Sequence, residues 1–172
     1  MIRGSHLTAS AARQDHGKGP DDAPITLMEY GDYQCAYSKA AEPVVKAIQR
    51  RLEGRLHYVF RHFPLRSIHP DAQEAAEAAE AAGAQGAFWE MHEKLFQNQV
   101  FLDQESLLRH AEDLGLDVRR FQSDLKSGRF HDKVRKDFTS GVQNGVNSTH
   151  AFFINGRRYE GEPTADGLLK DL

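Results

Sequence analysis

Two short apolar segments, with one amphipathic segment between them, constrain the fold of this chain more than any other feature. Residues 25–30 (ITLMEY) and 56–63 (LHYVFRHF) are apolar runs of strand length, and Pro24 and Pro64 mark their outer ends. Residues 36–53 carry apolar side chains at helical spacing. Two strands joined through a helix indicate a sheet that is covered by helices.

The rest of the chain is mostly helical and then returns to strand. Acidic caps, glycine stops and amphipathic spacing predict helices over residues 70–82, 88–97, 104–114, 117–126 and 130–143. A strand over 151–154, the turn signal Asn155-Gly156 and a strand over 157–159 predict a hairpin, and Pro163 opens a terminal helix. The prediction is therefore an α/β protein with a mixed central sheet and an all-helical block between its strands.

The helix predicted over residues 70–82 is rich in alanine and carries three acids, Glu74, Glu77 and Glu80. Alanine and glutamate favour a helix by propensity alone, and a row of acids is typical of a solvated face. We interpret this segment as a partly exposed packing helix.

Charge and hydropathy argue against two classes of partner. The 172 residues include 22 basic and 25 acidic side chains, for a net charge of −3, and contain no basic block, so nucleic acid is not expected as a partner. Because no apolar run approaches the roughly 18 residues of a membrane span, direct insertion into a membrane is not expected either. The sequence leaves the oligomeric state open.

Residues 1–23 are expected to form a mobile tail ahead of a domain over residues 24–172. They have few apolar side chains and no periodicity, and their first letters, MIRGSH, resemble a cloning remnant. Because the start also lacks the apolar core of a signal peptide, a cytoplasmic location is expected. A periplasmic one stays open if the N-terminus is not native.

The candidate chemistry centres on Cys35, the one cysteine of the chain, which excludes an internal disulfide. This residue follows a strand and the turn over residues 31–34 and opens a helix. The free N–H groups and the positive dipole end of a helix N-terminus stabilise a thiolate. The alternative is a buried structural cysteine.

The segment over residues 29–39 (EYGDYQCAYSK) resembles the active site of the DsbA-like branch of the thioredoxin superfamily, which usually has E-[YF]-x-D-[FY]-x-C-P-Y-C. The resemblance covers about residues 20–165. It continues through FRHFP (60–64), HP (69–70), QGAFWEMH (85–92), GLD (115–117) and GVNSTHAFFING (145–156), the last matching the family's G-V-x-G-T-P-T-F-F-I-N-G. The matching type of domain occurs alone or after sodium/proton antiporters.

This resemblance implies a thioredoxin fold, with a sheet of about four or five strands and the helical block inserted at about residues 66–145. It also implies roles for site residues. Cys35 matches the attacking cysteine, and Glu29 matches a buried acid that helps to move the cysteine proton. His150 falls on the cis-proline position, and Thr149 precedes it. We expect Tyr33, Gln34, Tyr37 and the Phe152–Phe153 strand to line a shallow apolar groove around Cys35, although strand alternation places at least one of the two phenylalanines in the core.

Ser38 is the first departure from the family pattern, because it stands where the resolving cysteine belongs. A serine can donate a hydrogen bond to a thiolate but cannot release a mixed disulfide, so the pattern indicates monothiol chemistry that an external thiol completes. Two other interpretations stay open: a catalytically dead scaffold, or a serine introduced to trap a complex.

His150 is the second departure. A non-proline cis bond costs about 2.5–4 kcal/mol, so the Thr149–His150 bond is expected to be trans. An imidazole near Cys35 could act as a base or an ion-pair partner, or could share a metal across a dimer. It could also face solvent on a rearranged loop.

The leading interpretation is a thiol–disulfide oxidoreductase that forms a mixed disulfide on Cys35 with a cysteine-containing protein, a peptide or glutathione. Glu29 would move the proton, and Ser38 would help to hold the thiolate. No cofactor and no metal is expected. The rival interpretation is a redox-silent binding or sensor domain, associated with a transporter.

Overall fold

The computed structural model of the protein describes residues 11–172 and has a five-stranded mixed sheet at its centre. The strands are β1 (His16–Lys18), β2 (Ile25–Gly31), β3 (Leu56–His62), β4 (Ala151–Ile154) and β5 (Arg157–Arg158), and their order across the sheet is β1-β3-β2-β4-β5. β2 and β3 are parallel, and the other neighbours are antiparallel. This architecture confirms the predicted α/β thioredoxin fold with a mixed sheet.

Seven helices surround the sheet within the described part of the chain: α1 (Ala36–Arg51), α2 (Ala72–Gly83), α3 (Phe88–Gln97), α4 (Gln104–Asp113), α5 (Val118–Lys126), α6 (His131–Gln143) and α7 (Ala165–Asp171). Helices α2 to α6 lie between β3 and β4 in the chain. Asp103 and Asp117 cap α4 and α5, each accepting a hydrogen bond from the backbone N–H three residues later, as their sequence pattern predicts. None of the helices in residues 11–172 is long and apolar enough to cross a membrane.

The prediction of a mobile tail is wrong for residues 16–18, which form β1 and pair with β3. Polar side chains in and just before β1 bond to buried charged groups instead of to water. Both carboxylate oxygens of Asp15 accept hydrogen bonds from the Arg61 guanidinium, at 3.0 and 2.7 Å, and His16 Nε2 lies 2.9 Å from a carboxylate oxygen of Glu80. Those partners follow much later in the chain, so local composition did not reveal them. The MIRGSH opening lies outside the described residues.

Strand alternation divides the core between the two faces of the sheet. One face buries Leu27, Phe60 and Phe152 against α1, α7 and the helices of the inserted block. The other face buries Met28, Phe63 and neighbouring side chains, with Phe138 of α6 packed against them. Successive residues of a strand point to opposite faces, so both faces of the central strands are covered.

Helix α2 is more buried than its acidic sequence indicates. Nine of its twelve residues are buried, including Glu77 and Glu80, so the interpretation as a partly exposed helix is wrong. Small alanine side chains let neighbouring helices approach closely, and the Glu80 carboxylate is paired with His16 and His62. Burial raises the pKa of Glu80, but the hydrogen bonds from the two histidines outweigh it and hold that pKa well below its ordinary value.

Gly141→Ala should destabilise the protein, although glycine to alanine inside a helix usually stabilises by about 1 kcal/mol. A Cβ at this position would lie 2.6 Å from two ring carbons of Phe63, which is buried and stacked on Phe138. We expect the free energy of unfolding in urea to fall by about 1–3 kcal/mol. The control is Thr139→Ala at an exposed position of the same helix, which should lose none. A Gly141→Ala variant as stable as the wild type would contradict this packing.

Candidate active site

Cys35 caps the N-terminus of α1 directly after the turn that follows β2. Its backbone is extended (φ −83°, ψ 124°), and its carbonyl accepts the hydrogen bond of Lys39 N–H at 3.1 Å. The predicted position at a strand-to-helix junction is therefore correct. The side chain is only 4% exposed, so a partner disulfide must reach a recessed sulfur.

The Cys35 sulfur faces the loop that leads into β4. Its S–H donates a long hydrogen bond of 3.9 Å to the carbonyl oxygen of Thr149, a residue that is itself buried. The Cys35 side chain accepts no capping hydrogen bond from the described part of α1. A carbonyl oxygen favours the neutral thiol over the thiolate, whereas the helix N-terminus favours the thiolate, so the two environments oppose each other.

The Thr149–His150 peptide bond is cis, and the expectation of a trans bond is wrong. That expectation rested on the local preference of a non-proline residue. The local preference is overridden by the contacts on both sides of the bond. Thr149 is buried next to the Cys35 sulfur, and Ala151 begins β4 and pairs with Tyr30.

The His150 imidazole is half-buried above the first turn of α1. Its ring centroid lies 5.1 Å from that of Phe152, and its Nδ1 has no hydrogen-bond partner among residues 11–172. Burial lowers the pKa of His150, and an interaction with the Tyr37 backbone opposes this only in part. The environment of the ring thus favours the neutral imidazole over the imidazolium.

Ser38 is fully buried on the first turn of α1. Its Oγ accepts a hydrogen bond of 3.1 Å from the backbone N–H of Asp32. The hydroxyl thus ties the start of the helix to the turn before it, a contact that the resemblance did not indicate.

The Asp32 carboxylate holds the turn in place through hydrogen bonds, a role that the sequence analysis did not predict. One carboxylate oxygen accepts the Gln34 N–H at 2.7 Å, and the other contacts Leu65 N at 2.9 Å and His69 Nδ1 at 2.8 Å. The bond to the Gln34 N–H could be predicted from the sequence, because an aspartate in a turn commonly accepts from the N–H two residues later. The contacts across the chain had no local signal.

The predicted groove is wrong for Tyr33, whereas the expectation that at least one of Phe152 and Phe153 lies in the core is confirmed. Tyr33 is buried, with its hydroxyl 2.9 Å from His92 Nδ1, and Phe152 and Phe153 are both core side chains. The sequence gives no sign that an aromatic residue in this turn is buried, because the helices that cover it follow later in the chain. Gln34 exchanges two hydrogen bonds with Asp71, at 2.9 and 3.1 Å. Tyr37, 71% exposed, does lie on the surface beside Cys35.

Gln99, in the loop after α3, is a second residue that sequence reasoning missed. Its side-chain amide donates to the carbonyl oxygens of Tyr33 at 2.8 Å and Cys35 at 2.9 Å. A single glutamine in a loop carries no sequence signal of such a contact.

Glu29 lies on β2 and is fully buried on the face that α1 covers. Burial, assisted by the charge of Glu42, raises its pKa from 4.5 to about 8, although the Tyr58 hydroxyl donates to it at 2.8 Å and acts in the opposite direction. Its other carboxylate oxygen has no partner among residues 11–172. Glu29 can therefore carry an exchangeable proton near neutral pH, the property expected of a buried proton carrier.

The described residues bring one group of metal-ligand type together, and it does not include Cys35. It consists of His62, Glu80 and Asp137, with ligand atoms within 4.8 Å of one another. Residues on β3, α2 and α6 meet here, which the spacing along the sequence did not reveal. The Lys133 ammonium, 2.7 Å from both carboxylate oxygens of Asp137, already supplies a positive charge.

Comparison with known proteins gives a consistent set of similarities. A family model described as thioredoxin matches residues 11–172. A Na(+)/H(+) antiporter NhaA 1 from Salinispora arenicola (strain CNS-205) is 44% identical over 155 residues, which are 90% of this chain but 24% of that protein. The chain thus spans about a quarter of the length of the curated relatives it matches.

Two solved structures share the fold. A thioredoxin-like oxidoreductase from Silicibacter pomeroyi DSS-3 has a TM-score of 0.82 at 23% identity, over 93% of this chain and 90% of that one. The thiol-disulfide exchange protein alpha-DsbA2 from Wolbachia pipientis has a TM-score of 0.81 at 19% identity, over 92% and 86%.

Glu29→Gln should remove a pH dependence of stability. The folded protein keeps the Glu29 proton up to about pH 8, whereas the unfolded chain releases it near pH 4.5, so the free energy of unfolding falls as the pH rises through this range. The free energy of unfolding, measured in urea, should fall between pH 5 and pH 8 by at least about 1.4 kcal/mol more in the wild type than in Glu29→Gln. This amount corresponds to a shift of one pKa unit. Glu53→Gln, at an exposed position, is the control. Parallel pH profiles for wild type and Glu29→Gln would contradict the assignment.

Proposed function

The chain belongs to the thioredoxin family, and from that premise we propose that it is a thiol–disulfide oxidoreductase with a single reactive thiol, Cys35. The observation that carries the proposal is the position of this cysteine. It caps α1, the Thr149–His150 loop faces its sulfur, and a protonated acid is buried in the adjacent strand.

The proposed reaction is one step of thiol–disulfide exchange. The Cys35 thiolate attacks one sulfur of a partner disulfide, a new S–S bond forms between them, and the old S–S bond breaks. The other sulfur leaves as a thiolate and takes up a proton. Because Ser38 offers no second thiol, the mixed disulfide persists until an external thiol attacks it and restores the Cys35 thiol.

The described groups divide the proton chemistry between them. The imidazole of His150 lies on the loop that faces the Cys35 sulfur and can accept the thiol proton, because burial favours its neutral form. Glu29, with a pKa of about 8, can take up and return a proton inside the sheet. Cys35 caps α1, and the free N–H groups of a helix N-terminus favour negative charge on its sulfur.

The surface beside Cys35 suits a polypeptide that contains a cysteine. Tyr37, Val100 and Phe101 are 71%, 83% and 56% exposed. Tyr37 lies in the first turn of α1, and Val100 and Phe101 directly follow Gln99, which bonds to the Cys35 carbonyl. Exposed apolar side chains on the segments that meet at the active-site turn are typical of an interaction site. Glutathione, which supplies a small disulfide and a resolving thiol, is the second proposed partner.

A redox-silent binding domain is the second candidate. It is favoured by the recessed sulfur of Cys35, whose S–H already donates to Thr149, and by Ser38, whose Oγ accepts from Asp32 N–H. Since the curated relative is a much longer antiporter, such a domain would bind a partner polypeptide on behalf of a transporter. Covalent capture by Cys35 separates the two candidates.

Incubation with oxidised glutathione should attach one glutathione to Cys35, the sole cysteine, and the adduct should persist until a reducing thiol is added. Intact-mass spectrometry measures both stages. Turnover in an insulin reduction assay should stay near background and should rise in Ser38→Cys, which supplies the resolving thiol. Cys35→Ser is the control for adduct formation. Absence of the adduct in native protein, together with its formation after denaturation, would support the binding domain instead.

His150→Ala should slow adduct formation at neutral pH. If the imidazole accepts the thiol proton, its loss should cost on the order of a hundredfold, the lower end of general-base catalysis. The difference should disappear at alkaline pH, where the thiol ionises without help. Stopped-flow rates with an aromatic disulfide across pH 5–10 measure this. Equal rates for the wild type and His150→Ala at neutral pH would show that His150 does not act as the base and has only a structural role.

A further inference from the structure

We infer that Gln99 is a positioning residue for Cys35, which acts by offsetting the charge of two backbone carbonyl groups in the turn that holds the active-site sulfur. The inference rests on the proposed function, because it concerns the reactivity of the same thiol. Its starting point is the pair of hydrogen bonds from one side-chain amide to the carbonyl oxygens of Tyr33 and Cys35, at 2.8 and 2.9 Å.

The loop that carries Gln99 is held in place on both sides, so its amide is presented in a fixed direction. Before it, the Asn98 side chain donates to Lys94 O at 2.7 Å and closes the end of α3. After it, Phe101 N–H donates to Asn98 O at 2.8 Å, and the Phe101 carbonyl lies 2.9 Å from His110 Nε2. The amide thus reaches the turn from a preorganised support.

The Tyr33 and Cys35 carbonyl oxygens belong to the turn that holds the sulfur, and the partial negative charge on each opposes ionisation of the thiol. A third carbonyl, that of Thr149, already contacts Cys35 Sγ. An N–H donor on the Tyr33 and Cys35 carbonyls offsets part of their charge and fixes their peptide planes. The Cys35 carbonyl shares its peptide plane with the N–H of Ala36, so holding the oxygen also fixes the first N–H of α1. Gln99 therefore favours the thiolate without contacting it.

Gln85 provides a matched control elsewhere in the fold. Its side-chain amide also makes two bonds to backbone, donating to Asp117 O at 3.1 Å and accepting from Asp117 N at 2.8 Å. It joins the end of α2 to the start of α5, a contact unrelated to Cys35. If Gln99 only stabilised the fold, Gln99→Met and Gln85→Met would have equivalent effects.

The test is the rate of alkylation of Cys35 by iodoacetamide as a function of pH, measured for the whole chain. The titratable and charged groups bonded to the active-site segment or next to it are common to all variants: Glu29, Asp32, Lys39, Glu42, His69, Asp71, His92 and His150. Gln99→Met, which removes the donor, should move the midpoint of the profile upward by about half a pH unit, a roughly threefold loss of thiolate at neutral pH. Gln99→Glu, which places a carboxylate against the carbonyls, should move it further.

Gln85→Met should lose thermal stability and keep the wild-type midpoint. A Gln99→Met midpoint equal to that of Gln85→Met would overturn the inference, whatever its effect on stability. Because alkylation needs neither glutathione nor a partner disulfide, the result is independent of the proposed exchange reaction. A shifted midpoint in a protein that forms no mixed disulfide would refute the proposed function and leave the positioning role intact.

Discussion

The site depends on how the turn between β2 and α1 is held, since each of its four residues is bonded to a distant part of the chain. Asp32 bonds to the loop after β3, Tyr33 to α3 and Gln34 to Asp71 at the start of α2. Cys35 bonds to the loop before β4 and to the segment after α3. The inserted helices are therefore part of the active-site framework, because a turn whose backbone and side chains are bonded on several sides keeps one shape.

Most elements of the fold could be predicted from the sequence because their signals are local. The strand runs, the Asp103 and Asp117 caps and the Asn155-Gly156 turn each depend on a few neighbouring residues, and the structure contains all of them. β1 could not be predicted, because a polar three-residue segment becomes a strand only when β3 is in place to pair with it. Glu80 and Arg61, which bond to His16 and to the preceding Asp15, also come from distant parts of the chain.

The same distinction applies to the site. The place of Cys35 at a helix start and the burial of Glu29 follow from the strand–turn–helix pattern and the family resemblance. Tyr33 and Gln99 could not be assigned correctly, because the first is covered and the second is brought to the turn by helices that follow tens of residues later. For Ser38, the position on the first turn of the helix could be predicted from the sequence. Its hydrogen bond with the Asp32 N–H could not, because that bond depends on the folded turn.

β1 covers the open edge of β3, whose seven residues are all buried. On the opposite side, the sheet ends in β5, which has two residues and so offers little backbone for pairing. An unpaired edge strand is a template for association with another chain. Loss of the residues that form β1 would thus leave the backbone of β3 unpaired along one edge, so that the domain would become prone to strand exchange between copies even with its active-site turn intact.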